Sequence, residues 1–147
     1  MRAVVQRVRR AGVCVDGVQI AEIGKGLLVL VGIARTDSRT DLEWMARKIV
    51  DLRIFDDSEG KLNLSLKDVG GKLLVVSQFT LHGDCRKGRR PSYTEAAPPE
   101  QAEMLYREFL EIVRQTLPDV QRGQFQAEMQ VSLVNDGPVT LILDSRA

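Results

Sequence analysis

Two short polar segments carry most of the residue types with which this chain could do chemistry, and each comes where an apolar run ends. The first is Ser77-Gln78-Phe79-Thr80, and the second is Asn135-Asp136-Gly137-Pro138-Val139-Thr140. The sequence places no base near either hydroxyl of the first segment, so Ser77 and Thr80 are poor nucleophiles. Backbone N–H groups at a strand end can still stabilise an oxyanion. The first segment therefore predicts a site built from backbone and amide groups.

Gly137 and Pro138 give the second segment an unusual backbone. Glycine adopts angles closed to other residues, while proline fixes its own φ, lacks an N–H and takes a cis bond at small cost. Apolar residues flank the segment at 129–134 and 139–143. This strand–turn–strand pattern predicts a hairpin, and it leaves the isomer of the Gly137-Pro138 bond open.

The one histidine of the chain, His82, lies three residues before Cys85 and beside a basic run. Positive surroundings lower a thiol pKa, so a cysteine-dependent hydrolase of small molecules is one alternative function. A single histidine excludes a site with several histidine ligands, and the glycine patterns of nucleotide sites are absent. We expect no metal and no cofactor.

Four positive charges fall within five residues at Arg86-Lys87-Gly88-Arg89-Arg90. The formal net charge of the whole chain is only +1, which excludes a globally basic nucleic-acid binder but not a local basic patch. The run is either a solvated loop or a contact for RNA phosphates. A non-catalytic RNA-binding module is therefore a second alternative function.

The composition is that of an ordinary globular domain. The chain has 147 residues, of which 44% are hydrophobic and 28% charged, so we expect a single domain over residues 1–147. No apolar run reaches the roughly 20 residues that span a bilayer, and no apolar signal segment follows the N-terminus. We expect a cytoplasmic protein without a membrane partner, in which Cys14 and Cys85 are reduced.

Alternating and continuous apolar runs predict the strands that hold these segments. Gly12 is expected to interrupt the first runs, and Asp16-Gly17 to form a hairpin turn. The two continuous runs are expected to be buried on both faces. The predicted strands cover 4–8, 13–15, 18–20, 26–33 and 72–78, followed by the final hairpin.

Two amphipathic helices are expected to cover this sheet. The first follows a capping box formed by Ser38 and Asp41, and its apolar residues recur at helical spacing. The second runs from Pro99, a residue suited to a first helical turn, to just before Pro118. Its expected apolar face consists of Ala102, Leu105, Tyr106, Phe109, Leu110 and Val113. Together the elements predict an α+β fold in which about two helices cover a mostly antiparallel sheet.

The two polar segments together resemble the D-aminoacyl-tRNA deacylase family, in which a Ser-Gln-Phe-Thr motif faces an Asn-x-Gly-Pro-x-Thr motif. The resemblance covers essentially the whole chain, from 1–8 (MRAVVQRV) through 83–91 (GDCRKGRRP) to 141–144 (LILD). It implies a sheet that curls toward a barrel and two paired subunits with active sites near their interface. It also implies the substrate, an amino acid esterified to the terminal adenosine of tRNA.

The resemblance further implies a role for each candidate residue. Catalysis falls to Ser77, Gln78, Phe79 and Thr80, with the ribose 2′-hydroxyl of the RNA supplying chemistry, so the protein mainly positions the ester and water. Gly137 and Pro138, joined by a cis bond, reach across from the partner subunit and reject L-amino acids. Supporting roles fall to Arg7, Met129, Asn135 and Thr140, and tRNA contacts to Arg86, Lys87, Arg89 and Arg90. From the residues alone, Arg7 is equally a surface cation and Met129 a core filler.

One position departs from the family pattern. Members commonly have Gly-x-Phe-Gly-Ala before the final apolar segment, and this chain has Gly123-Gln124-Phe125-Gln126-Ala127. Gln126 stands where a small residue is expected, which affects the pocket shape or the local backbone. Because both defining motifs are intact, we expect an active hydrolase that removes D-amino acids, and wrongly attached glycine, from tRNA.

Overall fold

The chain forms eight strands and two helices in a computed structural model that describes residues 1–147. The strands are β1 (Arg2–Val15), β2 (Val18–Ile23), β3 (Gly26–Gly32), β4 (Phe55–Asp56), β5 (Leu62–Leu64), β6 (Lys72–Ser77), β7 (Gln121–Arg122) and β8 (Gln130–Asp144). The helices are α1 (Arg39–Asp51) and α2 (Pro99–Arg114), and a 3-10 turn spans Phe79–His82. The α+β class and the single domain predicted from the sequence are confirmed.

The long strand β1 organises the main sheet. It pairs antiparallel with β2, β3 and β8, while β3 pairs parallel with β6 and β6 parallel with β7. Strand β2 also approaches β6 and β7, so the sheet is nearly closed on itself. The expected curling toward a barrel is therefore present in a mixed sheet whose pairings are mostly antiparallel.

Strand β3 is buried on both faces, as its continuous apolar run predicts. Alternate residues point to opposite sides of a strand, so Leu27 and Val29 join the core beneath the helices while Leu28 joins a second core inside the curled sheet. Strand β6 divides in the same way, with Val75 in the first core and Leu74 in the second.

Both helices begin and pack as their sequence patterns predict. At the start of α1, the backbone N–H of Ser38 donates to Asp41 Oδ2 over 2.9 Å. Helix α2 begins at Pro99, and its predicted apolar face is buried at every position. No helix of the chain is both long and apolar enough to cross a membrane.

The prediction that Gly12 interrupts the first strands is wrong, because β1 continues through it. A Cβ at position 12 would lie 3.0 Å from Gln19 Nε2 and 3.2 Å from the carbonyl oxygen of Ala21. Gly12 therefore allows β2 to approach closely. The Asp16-Gly17 turn is confirmed, with φ angles of 51° and 76°.

The predicted final hairpin is also wrong. Residues 130–144 form a single strand, β8, whose two halves both pair with β1 rather than with each other. Thr140 lies opposite Gln6 and Asn135 lies opposite Val8, so one residue of β1 faces four residues of β8. The Gly-Pro segment is thus a large bulge in a long strand, and bulges of this kind often aim residues at a functional site.

Candidate active site

A cleft of about 600 Å³ opens where the parallel strands β3 and β6 end. This volume is within the range of small-molecule sites. The carboxyl ends of neighbouring parallel strands meet at one edge of a sheet, so Arg35, shortly after β3, lines the cleft together with Ser77 and Gln78. Helix α2 adds Ala102 and Tyr106, and most of the lining is hydrophobic. The polar groups of the first motif therefore face an apolar space.

The first motif offers donors rather than an activated nucleophile. Gln78 Nε2 donates to Thr80 Oγ1 over 2.5 Å, so the Thr80 hydroxyl is oriented by an amide and not by a base. Phe79 and Thr80 open the 3-10 turn, at positions where backbone N–H groups have no acceptor within the helix. Ser77, Gln78 and Phe79 line the cleft, while Thr80 lies in the turn beside it.

Two aromatic rings stand at the mouth of the cleft. Phe79 is 56% exposed, which is unusual for so large an apolar residue. Its ring and that of Tyr93 pack in an edge-to-face arrangement, with centroids 5.2 Å apart and an interplanar angle of 69°. Both rings line the cleft, so a flat apolar group entering it would meet an aromatic surface.

The segment before β8 forms part of the cleft wall. Met129 lines the cleft, and a Cβ on Gly123 would lie 2.7 Å from its sulfur, so the glycine leaves room for Met129. Gln126 also lines the cleft and has a φ of 59°. In this left-handed region an L-residue is disfavoured by about 1–2 kcal/mol, a penalty that glycine does not have. The departure at Gln126 therefore affects both the backbone and the lining.

Gly137 and Pro138 do not line the cleft of their own chain. They lie in the bulge of β8, and the peptide bond between them is cis. Asn135 closes the bulge, because its Nδ2 donates to the carbonyl oxygens of Arg7 over 3.0 Å and Val139 over 3.1 Å. The first residue of the second motif thus holds the backbone on both sides of Gly137-Pro138.

Arg7 also stabilises this bulge, through its buried guanidinium. It is only 6% exposed, so the interpretation as a surface cation is wrong. Its Nε donates to the carbonyl oxygen of Asp136 over 3.0 Å, and its Nη1 donates to that of Ile54 over 2.9 Å. Thr140 ends the bulge, where its Oγ1 accepts from Gln6 Nε2 over 3.1 Å.

The basic run at 86–90 forms an exposed loop in which one of the four cations is neutralised. Arg86 donates through Nε and Nη2 to the two oxygens of Asp84, over 2.8 Å and 2.7 Å. These hydrogen bonds and the positive charge hold the pKa of Asp84 well below its usual range. Three cations of the loop are exposed and have no carboxylate partner: Lys87, Arg89 and Arg90.

The structure does not form the Cys85–His82 pair that a cysteine hydrolase would need. His82 is 6% exposed, and its Nε2 lies 3.0 Å from the carbonyl oxygen of Gly32. Cys85 is exposed, and no hydrogen bond joins it to His82. Both cysteines of the chain are free thiols.

Sequence reasoning missed Arg35 and assigned Tyr106 only to the core. Tyr106 is buried, its hydroxyl donates to the carbonyl oxygen of Val75 over 3.2 Å, and its ring still reaches the cleft. Burial raises the pKa of Tyr106 to about 12, so the hydroxyl is neutral. Arg35 comes just after β3, which lies next to β6 and parallel to it, and this position could have indicated that Arg35 lines the cleft. The local sequence pattern, however, does not show that β3 and β6 are neighbours.

Comparisons with known proteins identify the family of this chain. The family model described as D-Tyr-tRNA(Tyr) deacylase matches residues 4–144. D-aminoacyl-tRNA deacylase of Desulfatibacillum aliphaticivorans is 60% identical over 99% of this chain and 100% of its own length. The protein of the same name from Thermosipho africanus is 58% identical over 99% of this chain and 98% of its own length.

Two solved structures share the fold over nearly the full chain. One, named c-Myc DNA Unwinding Element Binding Protein, has a TM-score of 0.95 and 49% identity, with 100% of each chain covered. The other, described as a probable eukaryotic D-amino acid tRNA deacylase, has a TM-score of 0.81 and 20% identity, with 97% of each chain covered. At that identity the second match supports the fold alone.

The full-length matches define the class of protein, a hydrolase of ester-linked amino acids on tRNA. The chain belongs to the D-aminoacyl-tRNA deacylase family, as the family model and the full-length relatives show. It is accordingly an enzyme that hydrolyses D-aminoacyl-tRNA.

Proposed function

We propose that the cleft at the end of β6 is the site where the ester of D-aminoacyl-tRNA is cleaved. The observation that carries this proposal is that Ser77, Gln78 and Phe79 line an apolar cleft large enough for the terminal aminoacyl-adenosine. Phe79 and Tyr93 offer a surface on which the adenine can stack, since aromatic stacking is a common way to hold an unpaired base.

The reaction needs little from protein side chains. Water attacks the ester carbonyl, the negative charge moves to the carbonyl oxygen, and the ribose 3′-oxygen leaves with a proton. Backbone N–H groups of Phe79 and Thr80 stabilise the oxyanion, as fixed donors do in other acyl-transfer sites. The ribose 2′-hydroxyl, next to the leaving oxygen, relays the proton. The protein contributes mainly by fixing the ester and the water in a reactive arrangement.

Chiral selection is proposed to come from Gly137 and Pro138 of a second copy. These residues do not line the cleft of their own chain, yet the backbone on either side of them is held by hydrogen bonds from Arg7 to Asp136 and from Asn135 to Val139. A rigid backbone facing the α-carbon leaves no room for an L side chain, whereas a D side chain points away. Glycine has no side chain to reject, so glycine on a non-cognate tRNA is also a substrate.

The exposed apolar residues of β8 support such a homodimer. Leu133, Val134, Leu141 and Ile142 are all exposed on this strand. Because β8 pairs only with β1, its other edge is free, and a long apolar edge strand favours pairing with another chain. Lys87, Arg89 and Arg90 are proposed to contact phosphates of the acceptor stem. We place the enzyme in the cytoplasm, where aminoacyl-tRNA is used.

The test is deacylation of D-tyrosyl-tRNA, L-tyrosyl-tRNA and mischarged glycyl-tRNA by the purified protein. We expect rapid release of D-tyrosine and glycine and little release of L-tyrosine. A D-tyrosyl-tRNA whose terminal ribose lacks the 2′-hydroxyl should be cleaved at least tenfold more slowly. Cys85→Ser is the control and should keep full activity; its inactivation would favour a cysteine hydrolase instead. Equal cleavage of the D- and L-esters would contradict the proposed selection.

A further inference from the structure

A second concavity lies next to the cleft. It has a volume of about 540 Å³ and is formed by α2, β7 and the segment that follows β7. Tyr106 and Phe125 line both concavities, so the two spaces share a wall. We call it the arginine groove, because its lining includes Arg107, Arg114 and Arg122.

The charges of the arginine groove are unbalanced. Its lining contains three arginines but only one carboxylate, that of Glu103. Arg107 pairs with Glu103 over 2.8 Å, and Arg114 pairs with Glu111, which lies outside the lining. Both are exposed pairs between neighbours on one helix, and such pairs contribute about 0.3–0.5 kcal/mol. A stronger anionic partner can therefore replace Glu103 or Glu111 beside these arginines at little cost in free energy.

Arg122 has no carboxylate partner at all, and its placement is fixed by the sheet. It belongs to the short strand β7, where it pairs with Val75 of β6. Its guanidinium and that of Arg114 both lower the pKa of Tyr106, against the larger upward effect of burial. Both arginines line the groove together with Tyr106, which carries this buried hydroxyl. That hydroxyl is neutral and already donates to the carbonyl oxygen of Val75, so it balances neither charge.

We propose that the arginine groove binds backbone phosphates of the tRNA nucleotides that precede the terminal adenosine. The inference rests on the proposed function, which places that adenosine in the cleft on the other side of Tyr106 and Phe125. A single-stranded 3′ end that leaves the cleft past Phe125 enters the groove, where its phosphates meet Arg114 and Arg122. Arginine suits this role, because its planar group donates two parallel hydrogen bonds to a phosphate and keeps its charge.

The groove and the basic loop would then both contact the RNA. The loop at 86–90 follows the 3-10 turn that carries Phe79, while the groove adjoins the cleft through Phe125. Phosphate contacts position RNA without reading its sequence. An enzyme that must act on many tRNAs gains substrate binding in this way without restricting which tRNA it accepts.

The test compares a substrate that carries the tRNA backbone phosphates with a minimal substrate that carries none. Arg122→Gln and Arg122→Lys are assayed on D-tyrosyl-tRNA and on 3′-D-tyrosyl-adenosine, which has no phosphate. For Arg122→Gln we expect the KM for tRNA to rise about 3- to 10-fold with kcat unchanged, and the log–log salt slope of tRNA binding to fall by about one. Arg122→Lys should recover part of the loss. Cleavage of the adenosine ester should not change.

The matched control is Arg47→Gln. Arg47 is exposed on α1, has no carboxylate partner and lines neither concavity, so its loss should change nothing. A parental KM and salt slope in Arg122→Gln would overturn the proposal, as would an equal loss on both substrates, which would mean that Arg122 only supports the cleft wall. Binding of uncharged tRNA to the same variants is measured separately, so a failure of the proposed hydrolysis remains distinguishable from a failure of the groove.

Discussion

At position 137 there is little room for a side chain. A Cβ on Gly137 would lie 2.6 Å from Asn135 Oδ1, and the Asn135 amide is held by hydrogen bonds to two backbone carbonyls. In Gly137→Ala the methyl group must displace this amide and break those bonds. We expect D-tyrosyl-tRNA deacylation to fall at least tenfold, and the free energy of unfolding by about 1–2 kcal/mol. Steady-state deacylation and urea denaturation measure the two effects.

Gly24→Ala is the control for Gly137→Ala. No atom lies within 4 Å of a Cβ built at Gly24, so this variant adds the same methyl group where it meets nothing. It should keep parental activity. A folded Gly137→Ala protein with the parental rate and the parental D/L ratio would mean that the bulge of β8 takes no part in substrate selection.

Single residues were read from the sequence with uneven success, and the reasons are physical. The motif containing Ser77 and Gln78 was found because its residue types are informative without any neighbour. The burial of Arg7 was missed, because it depends on carbonyl groups of Asp136 and Ile54 that are distant in the chain. Asp84 is only two residues from Arg86, so their ion pair could have been predicted. It was overlooked because only the positive charges of the run were counted.

At the scale of elements, Asp41 ties the start of α1 to the end of β8. Its carboxylate accepts from the backbone of Ser38 over 2.9 Å and from Ser145 Oγ over 2.7 Å, and it lies 3.1 Å from the guanidinium of Arg146. Burial alone would raise the pKa of Asp41, but these hydrogen bonds and the positive charge lower it from 3.8 to about 2. The ionised carboxylate therefore stabilises the folded state.

The lowered pKa of Asp41 determines how its contribution to the free energy of unfolding changes with pH. A depressed pKa in the folded state means that the stabilisation is complete above about pH 4 and is lost as the pH falls through about 2. Asp41→Asn should lower the free energy of unfolding by up to about 2 kcal/mol near pH 7, and the difference from the parent should shrink below about pH 4. Urea denaturation at several pH values measures this.

Asp51→Asn is the control on the same helix. Asp51 is 52% exposed and pairs with Lys67 over 3.2 Å, and exposed pairs of this kind contribute about 0–1 kcal/mol. Its loss should have a small effect with little dependence on pH. If the two variants behaved alike across the whole pH range, Asp41 would not link α1 to the end of β8 in the way described.

Elements with local signals were predicted well, and those that depend on distant pairing were not. Helix α1 was predicted from its apolar spacing and its capping box. The Asp16-Gly17 turn was predicted from the types of its two residues. The final hairpin was mispredicted because a turn motif between two apolar runs has the same local pattern whether the runs pair with each other or with a third strand. Here β1 pairs with both halves of β8, and no residue near position 137 indicates this pairing.

At the scale of the whole molecule, the proposed selection of D-amino acids requires two copies of the chain. The cleft carries Ser77, Gln78 and Phe79, whereas Gly137 and Pro138 lie elsewhere on the same chain. A second copy can supply them, and the exposed apolar residues of β8 offer a surface for its attachment. Dimerisation and catalysis should therefore be lost together.

Ile142 provides the test of this coupling, because it is 78% exposed on β8. A charge there costs little in a monomer but opposes burial in an interface, where unpaired charges are strongly disfavoured. We expect the parent to sediment as a dimer, and Ile142→Asp to sediment as a folded monomer with deacylation reduced at least tenfold. Val18→Asp is the control, since Val18 is 62% exposed on β2 beside the Asp16-Gly17 turn, and it should remain dimeric and active. A monomeric parent with full activity, or an Ile142→Asp monomer that keeps the parental rate and D/L ratio, would show that one chain completes the site by itself.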